Sequence, residues 1–125
     1  MTIQEAIDKA DQMKENILPD AMKIAALNEI EGKIHEEILM THAHSAEEET
    51  PPAFDIDTDP GTVLLAPDRY AMLYVYWIMS RMDLTYQEMD KFNNNMALFQ
   101  MEYGNLQDWW NRRRMPVQRN RQIRI

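Results

Sequence analysis

Several residue types and patterns are missing from this sequence, and each absence excludes a class of protein. None of the 125 residues is cysteine, which rules out disulfide bonds, thiolate chemistry and cysteine-ligated zinc. Only three residues are glycine, and neither a glycine-rich phosphate loop nor a Gly-x-Ser-x-Gly motif occurs. No apolar run reaches the roughly 18 residues of a membrane-spanning helix. The sequence therefore predicts a non-enzymatic protein that needs no cofactor and does not enter a membrane.

The charge is distributed unevenly along the chain. The formal net charge is −8, yet from Gly104 onward six arginines face a single acid, Asp108. Residues 1–103 are therefore strongly acidic and the C-terminal end is basic. An acidic body repels DNA, whereas a basic segment seeks an acidic surface, so the two parts are expected to have different roles. The polar N-terminus predicts no signal peptide and hence a protein made in the cytoplasm.

Apolar residues at helical spacing predict an all-α protein, a small four-helix bundle with one long C-terminal helix. The expected helices run from Thr2 to Leu18, from Pro19 to about Met40, from Arg69 to Met82 and from Thr85 to Arg114. Thr2 and Glu5 have the spacing of a capping box that opens the first of them. Turn-forming residues between 41 and 67 predict a long irregular loop. We expect residues 1–114 to form a single domain and residues 115–125 to form an extended C-terminal arm.

The predicted last helix is the strongest pattern in the sequence. Thr85 and Glu88 have the spacing of a capping box, in which each side chain bonds the backbone N–H of the other residue. An apolar seam then recurs every three or four residues. It consists of Met89, Phe92, Met96, Phe99, Tyr103, Leu106 and Trp110. Since this helix is longer than the one before it, its far end is expected to meet another element or to stand free.

Large side chains of the last two helices are candidates for core or inter-subunit packing. These candidates are Tyr74, Trp77, Phe92, Met96, Phe99, Tyr103, Trp109 and Trp110. Asn93, Asn94 and Asn95 in mid-helix are compatible with a solvated face or with a hydrogen-bond ladder between subunits.

Two groups of residues resemble metal ligands, although neither has a complete pattern. Asp55, Asp57 and Asp59 have the alternate spacing that begins an EF-hand loop, but the position for the final glutamate is Ala66. The histidines at positions 35, 42 and 44 could bind a metal ion, but the sequence offers no third ligand at a suitable, fixed spacing from a pair of them. A turn-rich acidic loop is the favoured interpretation, and ion binding stays the alternative.

The arginines of the C-terminal end have two interpretations. They could bind nucleic acid through phosphate contacts. Because they occur without lysine and alternate with apolar and amide residues, they also suit pairing with carboxylates in a protein groove. The candidate docking segment consists of Arg112, Arg113, Arg114, Met115, Pro116, Val117, Arg119, Arg121, Ile123, Arg124 and Ile125.

The stretches 64–70, 73–83 and 91–110 together resemble small head–tail connector proteins of tailed bacteriophages, also called adaptor or head-completion proteins. The resemblance rests on a hydrophobic pattern and on a few short sequence segments, such as Leu64-Leu65-Ala66-Pro67 and Lys91-Phe92-Asn93-Asn94-Asn95. It implies a helical subunit that assembles with identical copies of itself, commonly twelve, into a ring below the portal protein. The arm would grip the portal, and a tail, stopper or tail-terminator protein would bind beneath.

In that family the ring extends the DNA channel, and DNA passes through without specific binding. The resemblance implies a location at the head–tail interface of the virion, after assembly in the host bacterial cytoplasm. The alternative is a small DNA-associated packaging or regulatory protein that uses its basic tail on nucleic acid.

Overall fold

Four α-helices form the structure of this protein, a computed structural model that describes residues 1–114. They are α1 (Ile3–Met13), α2 (Asp20–Ile34), α3 (Met72–Thr85) and α4 (Met89–Arg113). α2 continues into one π-helical turn, His35–Leu39, and short 3₁₀ turns cover Glu47–Glu49 and Asp68–Tyr70. The predicted all-α bundle with a long last helix is confirmed, and the predicted arm, residues 115–125, lies outside the described residues.

α1 begins as its capping residues predict but ends early. The backbone N–H of Glu5 donates to the Thr2 hydroxyl (3.1 Å), and the N–H of Thr2 donates to Glu5 Oε1 (2.9 Å). The helix was expected to continue to Leu18, yet Lys14 already has an extended backbone. Its ammonium group lies 3.0 Å from Asp83 on α3, so a tertiary ion pair accompanies the early end of the helix.

The corner between α3 and α4 lies three residues later than the sequence predicts. Thr85 is the last residue of α3, and its hydroxyl donates to the carbonyl of Arg81 (3.0 Å) instead of capping α4. The chain turns at Gln87, which has a positive φ of 59°. Glu88 pairs with Lys14 at 2.5 Å, so the predicted capping box is wrong because each of its side chains has another partner.

α3 is the centre of the bundle, as its nearly continuous apolar sequence predicts. It packs against α1, α2 and α4. Tyr74, Val75 and Ile78 are completely buried. Every other helix therefore uses α3 as its packing partner.

Burial along the α4 seam increases toward its C-terminal end. Met89 is 51% exposed, whereas Phe99 and Leu106 are 1% and 0% exposed. The far end of the helix does not stand free, because Trp110 is also buried and the ring of Trp109 lies 6.2 Å from that of Tyr70. The predicted seam is thus one continuous contact that is open only at its start.

The loop of residues 41–67 is irregular, as predicted, but parts of it belong to the core. Leu64 and Ala66 are buried, and the backbone N–H of Leu64 donates to the carbonyl of Met1 (2.9 Å). The N–H of Phe54 donates to the side chain of Asn28 on α2 (2.8 Å). Within residues 1–114, no helix has the length and apolar character needed to cross a bilayer.

Replacing Gly104 with alanine is expected to raise the free energy of unfolding by about 0.5–1 kcal/mol. An added Cβ at Gly104 or at Gly32 would meet no atom within 4 Å, so neither glycine marks a close helix crossing. Alanine restricts the unfolded backbone without a steric cost in the helix. Urea denaturation of Gly104→Ala and of Gly32→Ala measures the gain, and a loss of stability would show that the helix surface is not open at that position.

Candidate functional site

The C-terminal end of α4 is held against the long loop by an ion pair. Arg114 Nη1 and Nη2 donate to the two carboxylate oxygens of Glu48 at 3.1 and 3.2 Å, and Nη1 also donates to the carbonyl of Ala43 (3.2 Å). The hydrogen bonds that Glu48 accepts from Arg114, together with one from the backbone N–H of Ser45, lower the pKa of Glu48 to about 2. Both side chains are about one-third exposed, so the pair fixes geometry more than it adds stability.

A buried histidine joins the same end of α4 to the end of the α2 extension. His42 is 6% exposed; its Nδ1 donates to the carbonyl of Ile38 (2.6 Å), and its Nε2 pairs with the Asn111 side-chain amide (2.6 Å). A neutral imidazole donates once and accepts once, and the rotatable amide can supply the complementary group. Histidine here closes a structural contact across 69 residues of sequence.

Aromatic and guanidinium groups stack at this end. Arg113 lies 4.9 Å from the ring centroid of Trp109, and Arg114 lies 5.2 Å from that of Trp110. Such contacts hold the apolar stems of the arginines against the protein while the charge stays near solvent. Arg112 is exposed. We call the group His42, Glu48, Trp109, Trp110, Asn111, Arg113 and Arg114 the arm root, because the predicted arm begins directly after its last residue.

The structure separates the candidate packing residues into two sets. The buried set consists of Tyr74, Trp77, Phe99, Tyr103 and Trp110. The half-buried set consists of Phe92, Met96 and Trp109. The first set belongs to the core of this subunit, and the second keeps surface that a neighbouring chain could cover.

The three mid-helix asparagines do not act alike. Asn93 and Asn94 are exposed, in agreement with a solvated face. Asn95 is buried, and its side-chain N–H donates to Asp83 Oδ2 at 2.7 Å. The hydrogen bond of Asn95 thus lies within the subunit, where it satisfies a buried carboxylate.

Most of the suspected metal ligands bond to other groups of the chain. His35 Nε2 pairs with the carbonyl of Glu48 (2.7 Å). The carboxylates of Asp55 and Asp59 accept the backbone N–H groups of Asp57 and Gly61, both at 2.8 Å. Within residues 1–114 no three His, Asp or Glu side chains are grouped so as to hold a metal ion. The acidic loop is accordingly a series of turns stabilised by its own side chains.

Exposed apolar side chains flank the other end of α4, on two segments that are joined by Lys14 with Glu88 and by Ile17 with Tyr86. They are Met13, Ile17, Tyr86 and Met89, and we call this set the corner patch. Ile17 is 93% exposed, although its backbone N–H donates to the Tyr86 hydroxyl (3.2 Å). The 25 residues of α4 separate this patch from the arm root by about 37 Å at 1.5 Å per residue.

The sequence identified the arginines and tryptophans of the arm root but missed Glu48 and the structural use of His42. Glu48 lies in a run of three glutamates, which gives no signal that one of them has a partner. The corner patch was also missed, since its members come from two segments about 70 residues apart in sequence.

The chain matches no protein-family model, no curated protein and no solved structure.

Proposed function

We propose that this protein is a structural head–tail adaptor of a tailed bacteriophage. In this proposal it forms a ring of identical subunits below the portal, connects the capsid to the tail and extends the DNA channel. It works by assembly and catalyses no reaction. Its C-terminal arm binds the portal protein, and a tail or stopper protein binds the other side of the ring.

The separation of two attachment features along α4 is the observation that carries the proposal. The arm root holds Arg114 at one end, and the corner patch exposes Met89 and Ile17 at the other. A subunit that joins unlike partners needs distinct contact surfaces on opposite sides, and head-to-tail contacts between copies form a ring when their rotation closes. The closely packed α3–α4 pair sets the distance between the two surfaces.

The acidic body supports the channel role. Residues 1–103 carry a large excess of acids, whereas six of the eight arginines lie after Gly104. A negative lumen repels the DNA backbone and lets it move without binding. The same charge disfavours a body that grips nucleic acid.

Co-assembly with the portal tests the proposal. The full chain is expected to form a closed ring on portal particles from the same genome, visible by negative-stain electron microscopy. A variant that ends at Arg114 keeps all core residues described above and is expected to stay folded but to leave the portal bare. Normal decoration by the truncated chain would contradict the role of the arm, and a dimer in place of a ring would contradict the adaptor.

The alternative, a DNA-associated packaging or regulatory protein, is favoured only by the arginine content of the C-terminal end. Two of its six arginines already contact their own chain, Arg114 at Glu48 and Arg113 at Trp109. A gel-shift titration between about 50 and 200 mM salt separates the two functions, because tail–phosphate binding weakens steeply with salt. Tight, salt-sensitive binding would favour the alternative.

A further inference from the structure

A groove of about 560 Å³ lies between the second half of α2, its π-helical turn and the loop. Its apolar part is formed by Gly32, Met40 and Pro51. Glu29, Glu36 and Glu49 are exposed along it. An extended peptide that alternates apolar and cationic side chains would match this surface.

Two of the four carboxylates that line the groove have no ion-pair partner within residues 1–114. Among the described residues, Glu29 and Glu36 make no ion pair, and Glu49 contacts only His44, at 3.3 Å. The one lysine of the groove, Lys33, is already paired with Glu37 at 3.0 Å. The groove therefore presents three negative charges to an incoming cationic segment.

The C-terminal segment begins beside this groove. Arg114 is held on Glu48, which is the neighbour of Glu49 on the same 3₁₀ turn. The carbonyl of Glu48 contacts His35, a residue that lines the groove (2.7 Å). Eleven residues follow Arg114, and an extended chain of that length spans about 36 Å, more than enough to follow α2 from Glu49 to Glu29.

We propose that residues 115–125 dock in the groove of their own chain before assembly. Arg119, Arg121 and Arg124 pair with the carboxylates of Glu29, Glu36 and Glu49, while Val117 and Ile123 cover Met40 and Pro51. Docking within one chain is favoured because a short tether gives an effective concentration near the millimolar range. If the proposed function holds, the arm stays bound to its own subunit until the portal protein binds it instead.

Limited trypsin digestion of the full chain tests the docking. Cleavage after Arg119 and Arg121 is followed by mass spectrometry and compared with cleavage of a synthetic peptide of residues 115–125. When opening is fast, the cleavage rate follows the fraction of open arm, so we expect about tenfold slower cleavage in the protein than in the peptide. Equal rates would overturn the proposal.

A charge-reversal variant links any protection to the groove. Glu29→Lys/Glu36→Lys changes two exposed side chains and is expected to bring cleavage to within about twofold of the free peptide. The matched control Glu15→Lys/Asp57→Lys makes the same charge change outside the groove and should keep the protection. Protection that persists in the groove variant, or is lost equally in the control, would overturn the proposal. Thermal melts check that both variants are folded.

Protein concentration identifies whose groove is used. Protection that is constant over a hundredfold dilution supports docking within one chain. Protection that disappears on dilution would show that the arm binds the groove of a second copy, and this would overturn the proposal. The groove variant keeps its arm and should still decorate portal particles. Failure of docking therefore leaves the adaptor proposal intact, and failure of decoration by the full chain leaves the docking result intact.

Discussion

Replacing Lys14 with methionine is expected to lower the free energy of unfolding by about 3–5 kcal/mol. The ammonium group of Lys14 lies 3.0 Å from Asp83 Oδ1, and Asp83 is completely buried. Oδ1 accepts no well-aligned hydrogen bond within residues 1–114, so the nearby cation is what compensates its charge. Methionine keeps the apolar stem of the side chain and leaves the carboxylate buried without a counter-charge. Urea denaturation at pH 7 measures the loss.

A double variant separates the buried charge from the loss of packing. In Lys14→Met/Asp83→Asn neither charge remains, and the amide of residue 83 can still bond Asn95. Most of the lost stability should therefore return, because removing both members of a buried pair costs far less than removing one. Lys9→Met, at an exposed lysine of α1, is the matched control and should change stability by less than about 0.5 kcal/mol. A double variant as unstable as the single one would contradict this account.

Removal of the Glu31 carboxylate is the second large effect that we expect. Glu31 is 1% exposed, and its two oxygens accept the hydroxyl of Tyr74 (2.6 Å) and the backbone N–H of Leu65 (2.7 Å). Tyr74 in turn accepts the N–H of Ala66 (2.9 Å). Glu31→Ala leaves two buried donors unsatisfied at about 1–3 kcal/mol each, so we expect a loss near 3 kcal/mol and a looser end of the loop. Urea denaturation measures the loss of stability. Faster hydrogen exchange at the backbone N–H groups of Leu65 and Ala66 measures the looser end of the loop.

Glu31 also makes stability depend on pH in a defined direction. Burial raises its pKa to about 7 from 4.5, against the opposing hydrogen bonds of Tyr74 and Leu65. Between these two values the folded chain holds a proton that the unfolded chain has released, so stability falls as pH rises from about 4.5 to 7. A shift of that size corresponds to about 3 kcal/mol.

The glutamine variant isolates this pH effect. Glu31→Gln keeps the shape and an acceptor but has no proton to lose. The difference in unfolding free energy between pH 5 and pH 7.5 should therefore shrink by about 2.4 kcal/mol relative to the unmodified chain. Glu48, whose pKa is lowered to about 2, affects stability only at more acidic pH and does not overlap this window. An unchanged pH dependence would show that Glu31 is not the responsible group.

The sequence predicted those elements that local patterns specify. The α4 seam, the apolar α3 and the capping box of Thr2 and Glu5 are confirmed, because helical spacing and capping depend on residues three or four apart. The same local rule failed at Thr85 and Glu88, where the spacing is correct but the side chains bond elsewhere. A capping box does not form when its side chains bond to other groups of the folded chain, as Thr85 does with Arg81 and Glu88 with Lys14.

The candidate sites divide in the same way. Arginines and tryptophans at the end of α4 stood out by composition, and they do lie together in the arm root. Their partner Glu48 and the anchoring His42 could not be recognised, since 66 and 69 residues separate them from Arg114 and Asn111. The corner patch and the groove also combine distant segments.

The sequence by itself determined that this protein is a helical bundle with an acidic body and a basic end. Helix period, turn residues and the position of charges are properties of neighbouring residues, and they are present before the chain folds. Only the tertiary structure decided which polar groups are buried and what each one faces. Lys14 with Asp83, Glu31 with Tyr74, and Arg114 with Glu48 are brought together by packing around α3, because a side chain's partner depends on which helix face meets which.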